Sequence, residues 1–149
     1  MQKFFLVIDP EQSLGDPPLV QQAIAAIPGA EVVLVPDAES AIDLLEERRV
    51  VPSMVFCNLE LAGMSGLGFL GEIRRRRWLE RTPVAIMSNA ASDRQVVQSY
   101  RLGACTFLAK PLRAFEIREA IREFGSAAVP MRSGTLVGNL SGGRDASAA

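Results

Sequence analysis

Four residues can do chemistry together if the fold makes them meet. Asp9 offers a carboxylate, Asn58 an amide, Ser88 a hydroxyl and Lys110 an ammonium, and each directly follows a short apolar run. An acid and a lysine form an ion pair; an amide and a hydroxyl both donate and accept hydrogen bonds. Gathered at one edge, the four make a small polar site, but they contain no nucleophile–base pair. The chain has no histidine, which removes every His-dependent triad and every His phosphocarrier. Cys57 and Cys105, the two cysteines, cannot form a disulfide scaffold, and without histidine a four-ligand structural zinc site is not expected. No loop carries the G-x-x-x-x-G-K-[ST] phosphate cradle.

The elements that must position these groups are legible from the pattern. Five short apolar runs, Lys3–Ile8, Glu31–Val35, Ser53–Cys57, Val84–Met87 and Thr106–Ala109, suit strands covered on both faces. Helical periods lie between them. Over Pro17–Ile27, Leu19, Val20, Ala23, Ile24 and Ile27 share a stripe, Asp16 is placed to cap it, and Pro17 and Pro18 suit a first turn. Over Ala38–Arg49, Ala38, Ala41, Ile42 and Leu45 share a face, with Asp37 as the cap. Ser65 precedes a helix over Gly66–Trp78 with Leu67, Leu70 and Ile73 inward, and Ser92 one over Asp93–Leu102 that Gly103 ends. The last runs over Leu112–Phe124, with Ile117, Ala120, Ile121 and Phe124 inward, and ends at Gly125. A βα unit repeated five times predicts an α/β fold with a parallel sheet and helices on both faces. Sites in such sheets form at the carboxyl ends of strands, where the four polar residues stand.

The chain of 149 residues is one domain's length, 48% apolar and 22% charged, with 16 basic and 17 acidic residues and a net charge of −1. That balance argues against binding nucleic acid by bulk charge. No apolar run reaches the roughly 18 residues of a membrane span. The opening segment lacks a signal peptide's longer apolar stretch and cleavage site, so a cytoplasmic location is expected. The Gly-, Ser- and Ala-rich residues 126–149 are expected to form a flexible tail after a domain over 1–125.

Over residues 3–125 the sequence resembles the receiver domain of two-component response regulators. The resemblance implies a flavodoxin-like (CheY-like) three-layer αβα sandwich, with five parallel strands in the order 2-1-3-4-5 and five helices. It is carried by Asp9, at the first acid of the family's acidic pair, with Pro10 at the second. Asn58 stands at the phosphoacceptor, Ser88 at the switch hydroxyl, Phe107 at the switch aromatic, and Lys110 with Pro111 at the Lys-Pro pair. Met64-Ser65-Gly66 looks like the family's turn into the third helix, and Gly103-Ala104 like its small-residue turn before the last strand.

Two departures bear on mechanism. An amide oxygen is a far weaker nucleophile than a carboxylate and forms no stable acyl phosphate. Mg²⁺, which the family binds through the acidic pair and the phosphoacceptor, wants charged oxygen ligands. Pro10 and Asn58 remove two of them, so Mg²⁺ binding is expected to be weak or absent; Glu11 or Glu60 could reach in, from other positions. Lys110 can still pair with Asp9 and hydrogen-bond the Asn58 carbonyl. The expectation is therefore a degenerate, stand-alone receiver in a phosphorelay, with no catalytic residue and no metal. It would act through protein contacts with a histidine kinase, another signalling protein or itself, and without nucleic acid, membrane or small-molecule substrate. The resemblance points to the surface of the fourth helix, fifth strand and fifth helix, with Arg94, Gln98, Arg101, Arg113, Glu116 and Arg122. The residues after Gly125 leave no room within this chain for a DNA-binding output domain. The alternative is a flavodoxin-like enzyme handling a small molecule or phosphate at the same edge.

Plainer readings compete. Asn58 can be a loop-capping residue, Ser88 an ordinary loop hydroxyl, Phe107 a half-buried core residue and Lys110 a surface lysine with its stem laid on the protein. Asp9-Pro10 is a common turn pair. The run Arg74–Arg77 reads as a solvated face at a helix C-terminus, and Trp78 as packing on that helix end. Cys57, inside a strand, should be inert, and Cys105 the more accessible of the two.

Overall fold

The computed structural model describes residues 3–10 and 19–125. Strands β1 (Lys3–Ile8), β2 (Ala30–Val35), β3 (Met54–Asn58), β4 (Val84–Ser88) and β5 (Thr106–Ala109) alternate with helices α1 (Leu19–Ala25), α2 (Ala38–Arg48), α3 (Gly66–Arg75), α4 (Asp93–Arg101) and α5 (Ala114–Ala120). The strands form one parallel sheet in the order β2-β1-β3-β4-β5. This is the flavodoxin-like, CheY-like αβα sandwich, with five strands and five helices. Asp16, Pro17, Pro18, Glu11 and the tail 126–149 lie outside the described residues.

Alternating side chains of β1 and β3 build a core on each face. Leu6, Ile8, Val55 and Cys57 pack with Ala41 and Leu45 of α2 and with Phe69, Leu70 and Ile73 of α3. Phe5, Val7, Met54 and Phe56 pack with Val20 and Ile24 of α1 and with Ile117 and Ala120 of α5. Both β1 and β3 are covered on both faces, which is why their runs are continuously apolar rather than alternating.

Local signals set most boundaries. Asp37 accepts from the Ser40 N–H at 2.7 Å and opens α2. Ser65 accepts from the Gly68 N–H at 3.1 Å and opens α3. Ser92 and Gln95 form a reciprocal capping box at α4. Gly66 is required where α3 starts: a Cβ there would fall 2.4 Å from the Asn58 backbone oxygen and 2.9 Å from Leu59 Cα. Gly103 adopts φ +100° in the turn before β5.

Four expectations need correcting. Leu19 is 39% exposed and does not share the buried stripe of Val20 and Ile24. The third helix stops at Arg75, and Arg77–Leu79 forms a separate 3₁₀ turn. The inward set expected for α3 omits Phe69, which is fully buried like Leu70, whereas Leu67 is only half-buried against the same core. The arginine run is not a uniformly solvated face. Arg74 donates to the backbone oxygens of Glu80 at 3.1 Å and Gly103 at 2.7 Å, tying the end of α3 to the turn before β5. Arg76 pairs with Glu46 of α2 at 2.6 Å and with Glu72 at 3.1 Å. Those carboxylates raise the guanidinium's affinity for its proton, led by the Glu46 hydrogen bond. Trp78 packs against the core of that face, with the Arg49 guanidinium 4.8 Å from its ring centre.

Candidate functional site

The sheet register brings the polar residues to one edge. Ile8 pairs with Cys57, so Asp9 and Asn58 emerge side by side. Asn58 pairs with Met87, and Ser88 with Ala109. The Lys110 N–H donates to the Ser88 backbone oxygen at 2.8 Å. Asp9, Asn58 and Ser88 are all buried, at 6%, 5% and 2% exposure. A buried polar group needs a partner, so the hydrogen bonds decide what the site can do.

Lys110 Nζ lies 3.2 Å from Asp9 Oδ2, and both side chains are largely shielded from water. Asn58 points its Nδ2 at the Glu60 backbone oxygen, 2.7 Å away. Its Oδ1 is buried and accepts no hydrogen bond among the described residues, so the expected bond from Lys110 to the Asn58 carbonyl is not made. The reason is directional: an amide committed through Nδ2 to a backbone oxygen has its Oδ1 direction fixed. Ser88 Oγ donates to Glu60 Oε2 at 2.6 Å and accepts from the Ala90 N–H at 3.0 Å. Glu60 therefore does reach into the site, but to a hydroxyl rather than to a cation.

Phe107 is half-buried against the α2–α3 face of the sheet, and its N–H donates to the Tyr100 hydroxyl at 3.1 Å. Pro111 is exposed and follows Lys110 across a cis peptide bond. Burial, with the Asp9 charge adding to it, pushes the Cys57 thiol up, and burial pushes Cys105 up to about 12. Neither thiol supplies a nucleophile at neutral pH.

Among the described residues, the donor set does not fit Mg²⁺. Asp9 already faces an ammonium, Pro10 has no side-chain oxygen, Asn58 offers a neutral amide oxygen, and the Glu60 carboxylate is held by Ser88. A small hard dication needs several charged or water oxygens in near-octahedral array. Among the described residues no three Asp, Glu, His or Cys side chains converge.

Arg94, Gln98, Arg101, Arg113, Glu116 and Arg122 are all exposed on α4, α5 or their flanks, and Arg122 is paired with Glu119. The charged residues do not describe that surface alone. Val97 and Tyr100 are each 50% exposed and Phe115 is 64% exposed. Sequence reasoning missed these three and the role of Glu60. Phe115 falls off the apolar stripe of Ile117, Ala120, Ile121 and Phe124, which is the signal that could have found it.

The family model for the response regulator receiver domain matches residues 6–122. This chain belongs to that family. Receiver domains are signalling domains of two-component systems and are generally not enzymes. The receiver is 33% identical over 88 residues to the two-component response regulator-like protein APRR3 of Arabidopsis thaliana, covering 59% of this chain and 18% of that protein. It is 32% identical over 110 residues to the sensor histidine kinase AruS of Pseudomonas aeruginosa, covering 72% of this chain and 11% of the kinase. The chain thus spans under a fifth of the length of these two relatives. The receiver superposes on the phosphorylated cyanobacterial phytochrome response regulator RcpA with a TM-score of 0.74 at 24% identity, covering 89% of this chain and all of that one; this likeness is one of fold. No helix among the described residues is long and apolar enough to cross a membrane.

Proposed function

We propose that this receiver signals without being phosphorylated, by presenting one fixed surface to a protein partner. One observation carries the reading: the residue ending β3 is Asn58, whose amide is spent on the Glu60 backbone and cannot attack phosphorus. Asp9 is paired with Lys110, so its carboxylate is not left to a metal alone. Residues 1–125 act as the receiver unit. The partner is a histidine kinase, another signalling protein or a second copy, docking on α4, β5 and α5. That surface offers Arg94, Gln98, Arg101, Arg113, Glu116 and Arg122 around the apolar Val97, Tyr100 and Phe115. The protein works in the cytoplasm. The enzyme alternative has no nucleophile–base pair to support it at the strand ends.

Incubation with acetyl phosphate and Mg²⁺, followed by intact mass, tests this. The natural chain is expected to gain no phosphoryl group; a stable adduct would overturn the reading. The Asn58→Asp, Pro10→Asp double variant should regain Mg²⁺-dependent NMR shifts around residues 9, 10 and 58. Trp78 is unsuited as the reporter, because it stacks on Arg49 beyond the end of α2, away from the strand ends that carry the site.

A further inference from the structure

We propose that Glu60 is a resident anion for Ser88, clasping the loop after β3 to the loop after β4 so that α4 is held in one position without a covalent signal. This inference rests on the phosphorylation-independent reading and names how the same site is regulated. Glu60 is an exposed loop residue, for which full hydration is the default. Its Oε2 nevertheless lies 2.6 Å from Oγ of the buried Ser88. A short hydrogen bond to a carboxylate belongs to the strong, charge-assisted class. Ser88 has a single hydroxyl proton, and donates it in a hydrogen bond to Glu60. A lone pair of the same oxygen takes the Ala90 N–H at 3.0 Å. The hydroxyl is therefore fixed from both sides.

Asn58 completes the device. Its Nδ2 donates to the Glu60 backbone oxygen at 2.7 Å, so the buried amide anchors the backbone of the residue whose side chain anchors Ser88. An ionised aspartate at 58 has no N–H to give that oxygen and would set acceptor against acceptor there. The asparagine and the glutamate are a matched pair, each suited to the other's presence. The clasp joins two loops that lead straight into helices. Ser92, four residues after Ser88, caps α4, and Gln95 of that cap faces Leu59, Glu60, Ser65 and Leu67 across an open groove of about 540 Å³. Holding Ser88 to Glu60 fixes the width of that groove and with it the first turn of α4.

Amide hydrogen exchange on the full chain tests the clasp. A charged hydrogen bond controls local opening by roughly tenfold or more. Glu60→Ala should therefore lower protection at Ala90 and at Gln95 and Val96, the amides of the α4 cap, by about that factor. Ser88→Ala should lower Gln95 and Val96 similarly, and the double variant should lose no more than the larger single loss. Glu60→Gln, which keeps the shape and an acceptor but not the charge, should fall between, and serves if the alanine variants fold poorly. Unchanged Ala90, Gln95 and Val96 in both Glu60 variants, or independent losses that multiply in the double variant, would overturn the clasp. A phosphoryl adduct on the natural chain would instead overturn phosphorylation independence and leave the exchange result standing, so the two failures are distinguishable.

Discussion

The Asp9 carboxylate and the Lys110 ammonium stand 3.2 Å apart with side chains 9% and 15% exposed. In such a place the cost of removing one partner exceeds the net worth of the pair, because a charge shielded from water loses its ion-pair partner. Lys110→Met should therefore cost about 3 kcal/mol in urea unfolding. The Asp9→Asn, Lys110→Met double variant should recover a large part of that loss, since neither charge then remains. Equal losses in the single and double variants would mean that the lysine contributes packing rather than charge. The orphaned Asn58 Oδ1 at the neighbouring strand end reflects a similar trade. Directing Nδ2 to the Glu60 oxygen leaves one acceptor unsatisfied, at a cost of order 1–3 kcal/mol. The residue at 58 is thus held for the loop it fixes.

Among the elements, α2 shows how local chemistry sets a boundary and a pH dependence. Hydrogen bonds from Ser40, the backbone one foremost, hold the Asp37 carboxyl below its ordinary 3.8. The folded pKa is depressed relative to the unfolded chain. Its contribution is therefore complete above 3.8 and is lost as pH falls through the folded value. Asp37→Asn keeps a capping oxygen without the titration. Thermal scans from neutral pH to below 3.8 should show a shallower acid decline for Asp37→Asn than for the natural chain. Parallel declines would assign the acid sensitivity elsewhere. Helix starts of this kind were readable because the cap and its target are three residues apart, as at Asp37–Ser40 and Ser65–Gly68. The end of α3 was not. The apolar period runs on to Trp78, whereas Arg74 and Arg76 are drawn off to Gly103 and Glu46, partners 29 and 30 residues distant.

For the molecule as a whole, two kinds of apolar residue must be told apart. Phe69 is fully buried in the α2–α3 core, while Phe115 is 64% exposed on α5. Phe69→Ala should cost about 3–5 kcal/mol in chemical denaturation. Phe115→Asp should change stability by no more than about 0.5 kcal/mol, while weakening any association through the α4–β5–α5 surface as read by sedimentation or partner capture. A large stability loss at Phe115 would make it a packing residue and remove the apolar centre from that surface. The sequence by itself determined the βα order, the runs that become strands and the strand ends that carry Asp9, Asn58, Ser88 and Lys110. Those features depend on burial and hydrogen bonding between near neighbours in the chain. Only the tertiary structure decided which polar groups pair: Glu60 with Ser88, Asn58 Nδ2 with the Glu60 backbone, and Lys110 with Asp9 alone of the two expected partners. Partner choice within one small site turns on differences of an ångström in loop path and on the direction of each donor, and residue type and spacing encode neither.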